Sequence, residues 1–212
     1  SRLFNYRLEM LSKESSVPAK EIVGKNITVC VLHTDGTPLY FNGFVSRFSS
    51  CGAGDRFHVF NAEMVPWLWF LTLKADCRIF QGKTVLQITE QVFQDLGFTD
   101  YSISEVKGNH PVRDFCVQYR ETDFDFISRL LEEEGIFHYF LHENGKHTLV
   151  LADQKAAYKT CVEKEVEHGR ESGQIVRWEH GYAFRTGSWS QTDFNFEKPS
   201  LNLTAKTSTI IQ

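Results

Sequence analysis

Residues Cys116 to Phe140, CVQYRETDFDFISRLLEEEGIFHYF, leave little freedom in how the chain around them folds. Thr122 offers a hydroxyl to an unpaired backbone N–H at a helix start, and Asp125 three places on makes a variant of the capping box. Asp123 and Asp125 also set negative charge at the positive end of that helix. Phe124, Ile127 and Leu131 recur at steps of three and four, Phe126 and Leu130 widen the stripe, and Gly135 supplies a left-handed terminator.

Past Gly135 the period changes. Ile136 to His142 is aromatic and β-prone, Asn144-Gly145 is a favoured two-residue hairpin turn, and His147 to Ala152 returns as a second strand. A type I′ turn sets Glu143 opposite Lys146 and His142 opposite His147. Ile136, His138, Phe140, Leu149 and Leu151 then share one face, and Phe137, Tyr139, Leu141 and Val150 the other. Both faces are bulky, so the hairpin is expected to be covered on each side.

With 212 residues, 42% of them hydrophobic, the chain can bury a substantial core. Eighteen Phe against two Met favour rigid aromatic packing in β-rich layers. A net charge of −4 gives no attraction for polyphosphate, so no nucleic-acid partner is expected. The longest apolar run, Met64 to Leu73, is too short to span a bilayer and contains Pro66, so neither membrane insertion nor a signal peptide is expected. Five widely spaced Cys, at 30, 51, 77, 116 and 161, read as reduced thiols made in the cytosol and packed as small buried apolar residues.

Phe4, Tyr6, Leu8 and Met10 alternate with polar residues, and Ile27 to Leu32 and Leu39 to Phe48 read as strands joined through Asp35-Gly36. Gly52-x-Gly54 lacks the third glycine and following helix of a phosphate loop and reads as a turn. Phe57 to Glu63 and Val65 to Leu73 continue the β pattern, with Trp67, Trp69, Leu71 and Leu73 on one buried strand face. Val85, Ile88, Val92, Phe93 and Leu96 form a helical stripe that starts near Gly82 to Thr84 and stops at Gly97. Phe98 to Val106 and Phe115 to Tyr119 read as strands leading into the central helix. Cys161 to Gln174 is a candidate linker, after which Val176, Trp178, His180, Tyr182 and Phe184 alternate as a strand and Thr192, Phe194 and Phe196 as another. The expected class is α+β and β-rich: a first β-barrel-like unit over 1–80, an α+β portion over 81–160, and the start of a second, incomplete β-barrel-like unit over 161–212.

Catalytic chemistry finds little footing. His138, His142 and His147 share a hairpin face, but His138 lies about 13 Å from His142 along an extended strand, too far to close one metal shell. Glu132, Glu133 and Glu134 point in different directions around a helix and are expected to form ion pairs, Arg129 with Glu132 or Glu133 and a basic partner with the rest. No Gly-x-Ser-x-Gly, His-Glu-x-x-His or local triad is present, so no enzyme, cofactor or metal is expected. A metal-dependent hydrolase and a β-barrel ligand-binding module are the rival classes.

The run QYRETDFDFISRLLEEEGIFHYF resembles the signature of the VgrG family, spike proteins of the bacterial type VI secretion system, which in turn resemble the hub proteins of contractile phage tails. Met64 to Leu73, CRIFQGKTVLQI at Cys77 to Ile88 and TDFNFEKP at Thr192 to Pro199 extend the resemblance over most of the chain. It implies a phage tail hub-like fold of two similar β-barrel-like units with an α+β portion between them. It also implies a homotrimer whose six similar units seat on the hexameric Hcp tube protein, with effectors or adaptors as further partners. The implied location is the bacterial cytoplasm before firing, then outside the cell or inside a target cell. A phage baseplate hub is the neighbouring alternative. On this reading the sequence starts inside its first domain, its last domain continues beyond it, and the region shown trimerises weakly by itself. Thr122, Asp125, Phe124, Ile127, Leu130, Leu131, Gly135, Asn144 and Gly145 are the expected positioning residues of the centre.

Overall fold

The computed structural model describes residues 2–33, 35–53, 56–159, 168–169, 177–183 and 186–208. Two compact units divide the chain, Ser1–Lys164 and Glu165–Gln212.

Alternating side chains make β1 (Tyr6–Ser12) a half-buried strand; a one-turn helix α1 (Ala19–Ile22) follows, then β2 (Asn26–Leu32), β3 (Pro38–Ala53) and β4 (His58–Val65). They form an antiparallel sheet in the order β1-β4-β3-β2, with Tyr6 opposite Met64 and Val31 opposite Leu39. The sixteen residues of β3 serve both neighbours by bending at two bulges, between Val45 and Arg47 and between Ser50 and Gly52. At Gly43 β3 approaches β4 too closely for a side chain, since a Cβ there would stand 2.6 Å from Met64 Cγ and 2.8 Å from Val65 O. Gly43→Ala is therefore expected to cost about 1–3 kcal/mol by forcing the strands apart, read as a lower urea midpoint at unchanged slope.

The second half of this unit begins with a 3₁₀ helix, Trp67–Leu73, followed by β5 (Ala75–Lys83) and α2 (Val85–Asp95). Thr84 and Gln87 close a full capping box at the start of α2. Then come β6 (Tyr101–Glu105), β7 (Arg113–Thr122), α3 (Asp123–Glu133), β8 (Phe137–Glu143) and β9 (Lys146–Ala152), with a 3₁₀ turn at Lys155–Ala157. β5 and β7 pair as a two-stranded antiparallel ribbon, and β6 lies parallel to β9 in the sheet β6-β9-β8. The core sits here. Trp67 packs edge-on to Phe93 at 4.9 Å and stacks on Phe98 at 4.7 Å, while Phe80 stacks on Phe126 beneath the ribbon. Val85, Ile88, Val92 and Phe93 of α2 meet the buried face of α3 in the same cluster.

Three expectations are corrected. Trp67 to Leu73 is not a strand: Pro66 caps a turn in which Trp69 N–H donates to Pro66 O, burying Trp67, Leu68 and Leu71 and leaving Leu73 exposed. An unbroken apolar run carries no period, so it could not distinguish the two conformations. Among the described cysteines only Cys116 is buried, whereas Cys30, Cys51 and Cys77 are exposed thiols on strands whose facing the residue type does not set. In the second unit, β10 (Ser188–Gln191) and β11 (Ala205–Ser208) pair, but 177–183 and 192–196 are not strands, and Trp178, Tyr182, Phe194 and Phe196 are exposed. Alternation marks a face fit for burial without providing the surface that buries it. Val176 and Phe184 lie outside the described residues, as do most of Cys161 to Gln174 and the second half of the 52–54 turn.

The observed class is α+β and β-rich. Among the described residues, β1 and β2 are the outer strands of the first sheet and do not pair with each other.

Candidate functional site

The central helix is built as its local chemistry dictates. Thr122 Oγ1 accepts from Asp125 N–H at 3.0 Å and donates to the Asp125 carboxylate at 2.7 Å, so cap and third residue lock each other. Phe126, Ile127, Leu130 and Leu131 are buried, and Phe124 packs half-buried against them. Gly135, at φ +70°, turns the chain so that Ile136 N–H reaches back to Leu131 O at 2.8 Å and β8 starts at once. Asn144 and Gly145, the latter at φ +82°, form the hairpin turn, with Glu143 opposite Lys146 and His142 opposite His147.

That hairpin is latched to the first sheet by a side chain the sequence reading did not single out. Asn42, fully buried on β3, receives His147 Nδ1–H on its Oδ1 at 2.7 Å and donates its own backbone N–H to His142 Nδ1 at 3.1 Å. Trp67 N–H donates to His147 Nε2 at 2.9 Å, which fixes the proton of that imidazole on Nδ1. The Asn42 amide donates in turn to Asn26, Ile27 O and Thr28 Oγ1, and Gly145 N–H from the hairpin turn reaches the same Thr28 hydroxyl. Phe4, Phe140 and Phe44 pack around the His147 ring. The only sequence signal was an asparagine in an otherwise aromatic strand, Leu39 to Phe44.

Such a latch requires neutral rings. Burial pulls His147 down to about 4, with the neighbouring His142 adding to the effect; burial does the same to His138, also to about 4, and lowers His142. The unfolded chain, with ordinary histidines near 6.5, therefore binds protons that the folded chain refuses, and stability is lost as pH falls from 6.5 toward 4. Between pH 7 and pH 5 the unfolding free energy is expected to fall by about 2–4 kcal/mol, and His147→Gln, which does not titrate, to remove about half of that slope. Urea melts at the two pH values measure it, and a flat profile would refute the neutral latch.

A second polar cluster pulls the other way. His110 bridges Glu134 at 2.8 Å and Asp153 at 3.3 Å, and its hydrogen bond to Glu134 raises its pKa. Asp153 accepts from the Lys107 and Gly108 N–H groups, while Arg113 holds Glu133 and Glu134. The stabilisation from His110 is complete below about 6.5 and fades as pH rises through its raised value, so it offsets part of the acid loss. The acidic end of α3 is thus met by Arg113 and His110, and Arg129 pairs with Glu121. Glu121 stands next to the helix cap, and Arg129 also donates to Val117 O and lies over Phe126.

A third cluster ties the ribbon to α3. Asp123 is fully buried, and its Oδ1 receives Arg78 Nη2 at 2.5 Å and Gln118 Nε2 at 2.8 Å, while Arg78 Nε donates to Gln118 Oε1 at 2.9 Å.

These arrangements hold surfaces in place. The ring nitrogens His142 Nδ1 and His147 Nε2 accept from main-chain N–H groups, so the pair presents no shared lone pairs to a metal ion. No cluster of three or more His, Cys, Asp or Glu side chains fit to hold a metal is found among the described residues.

Comparison with known proteins gives one consistent picture. The sequence profile of the phage tail baseplate hub family (GPD) matches residues 1–209. Two type VI secretion system spike proteins of Pseudomonas aeruginosa, VgrG1c and VgrG1a, are each 36% identical to the chain over 95% of its length. The chain spans only 29% and 32% of those relatives. In fold it is similar to the E. coli c3393 protein, a component of the type VI secretion system with structural similarity to the T4 bacteriophage tail proteins gp27 and gp5. That match has a TM-score of 0.68 at 19% identity and covers 94% of this chain and 52% of the other.

Proposed function

The chain belongs to the phage tail baseplate hub family, and from that membership we propose that it forms the hub of a type VI secretion spike, a mechanical adaptor without catalytic chemistry of its own. Three copies close a ring whose six similar β units face the sixfold Hcp tube, and the assembled spike carries effectors or adaptors out of the bacterial cytoplasm. Within each copy, 1–80 and 161–212 supply the similar units and 81–160 the brace between them. Among the described residues no helix is long and apolar enough to cross a membrane, and on this reading export proceeds with the tube.

The observation that carries the proposal is the hub-family match over residues 1–209, joined to 36% identity with proteins named as spikes. The His142–Asn42–His147 latch supports a rigid part, because the hydrogen bonds that join sheet and hairpin there hold both rings in one geometry. Deleting the gene is expected to abolish release of Hcp into the medium, and the purified full-length protein to cap Hcp rings in electron micrographs. A deletion strain that still secretes Hcp at the parental level sinks the proposal. A contractile phage baseplate hub is the second reading, favoured by the family's own description; a phage tube protein, rather than Hcp, then co-purifies.

Against a ligand-binding module, the groove of about 410 Å³ lined by Tyr6, Leu8, Val29, Phe41 and Met64 is a strip of an open sheet face, with no convergent polar group beyond Asn5 and Arg7.

A further inference from the structure

An antiparallel ribbon with one face on a core normally shows water a polar face. The β5–β7 ribbon does not. Its inner face, with Phe80, Cys116 and Gln118, packs on the core, but its outer face carries Ile79 at 66% exposure, Phe115 at 68%, Val117 at 47% and Tyr119 at 64%, with the exposed thiol of Cys77 among them. Ile79 stands opposite Val117 and Cys77 opposite Tyr119, so these side chains form one continuous stripe. At these exposures, with each aromatic offering about 150–250 Å², the bare area is roughly 500 Å², the upper range for the largest apolar patch on a monomer. A stable interface takes roughly 800 Å² from each partner, so the stripe supplies more than half of one side.

The backbone marks the same place. Between Asp76 and Cys77 the pairing slips by one, leaving Arg120 as the extra residue of β7 at φ 53°, the only non-glycine residue at positive φ among those described. Strain of this kind re-aims a side chain. Here it sets the Arg120 guanidinium 5.2 Å from the centre of the Tyr119 ring, giving the stripe a cationic end. Aromatic residues and arginine are what interface centres are rich in.

We propose that this outer ribbon face is the surface by which each chain grips the next copy of itself, and that the occupant is the far end of the neighbour's β2–β3 hairpin. That end is the unlike partner such a contact needs. Val31, Leu32 and Leu39 are exposed there, and Asp35 in the turn supplies a carboxylate to meet Arg120. Two unlike patches on one rigid unit make a head-to-tail contact, the only kind that closes a three-membered ring. The proposal rests on the hub reading and adds to it the faces that join the copies.

The test uses the full-length natural protein. Ile79→Glu combined with Val117→Glu is expected to open this contact, so that maleimide labels Cys77 at least tenfold faster than in the unmutated assembly, while leaving the circular dichroism spectrum unchanged, since both side chains point to solvent. Arg120→Asp is expected to speed the labelling of Cys77 at least tenfold, and adding Asp35→Arg to restore its protection. In the unmutated assembly, maleimide should modify Cys77 and Cys30 at least tenfold more slowly than Cys51, an internal control that needs no substitution. A Cys77 that stays protected in the double glutamate variant, a Cys77 that reacts as fast as Cys51 in the unmutated assembly, or a charge swap without rescue overturns the proposal. Wild-type protein that sediments as a monomer overturns the hub reading and this one with it, which separates the two failures.

Discussion

Arg78→Ala is expected to destabilise the first unit by about 3–5 kcal/mol, because it strands a fully buried carboxylate. Asp123 would keep one hydrogen bond, from Gln118 Nε2, with its other oxygen already unpartnered. Gln118 Oε1 would lose its donor as well. The companion experiment separates charge from volume: Arg78→Met with Asp123→Leu removes both charges and is expected to recover most of the loss, since a buried pair exchanged for apolar residues of similar size is often neutral. Urea unfolding of the two variants decides it. A single variant within about 1 kcal/mol of wild type would show that water reaches Asp123 and that the cluster is less enclosed than its burial implies.

Trp67→Ala ranks beside it, at about 3–5 kcal/mol, or a melting temperature lower by roughly 10–15 °C. The indole is 2% exposed, fills the space between Phe93 and Phe98, and donates Nε1–H to Asp100 O at 3.2 Å. Truncation opens a cavity and removes one of the two donors to that carbonyl, leaving Leu149 N–H at 2.9 Å. Trp67→Phe keeps the ring contacts and is expected to lose only about 1–2 kcal/mol, so the ratio of the two losses reports how much of the effect is volume. The His147 bond to Trp67 comes from the backbone N–H and survives either change, so the acid sensitivity of the latch should persist in both variants.

What the sequence disclosed and what it withheld follow from distance along the chain. Thr122 and its helix, Gly135, and the Asn144–Gly145 turn with His142 opposite His147 were legible because each is decided by residues within one or two turns of each other. Asn42 and His147 were not, because they are 105 positions apart and nothing near either one announces the other. The same holds for Arg78 with Asp123, 45 apart, and for His110 with Asp153, 43 apart. Trp67 to Leu73 failed for the opposite reason: local information was abundant but without a period, and the partners that hold Trp67, Phe93, Phe98 and His147 among them, lie far along the chain. The ribbon lay between these cases. Phe115 to Tyr119 was legible as a strand, but which of its faces turned inward was not, and Cys116 and Gln118 took the core side.

The long reach between Asn42 and His147 has a consequence for how the molecule is made. At about 5–20 residues per second, a ribosome needs roughly 4–16 seconds to go from the last residue of β4 to His147. Throughout that interval the newborn sheet carries Phe41, Phe44 and Tyr6 with no imidazole to fasten them. Nascent chains of this kind spend their most vulnerable moments with an aromatic surface open to the crowded cytosol, and holdase chaperones have their clearest opportunity there, before the hairpin emerges and shuts it.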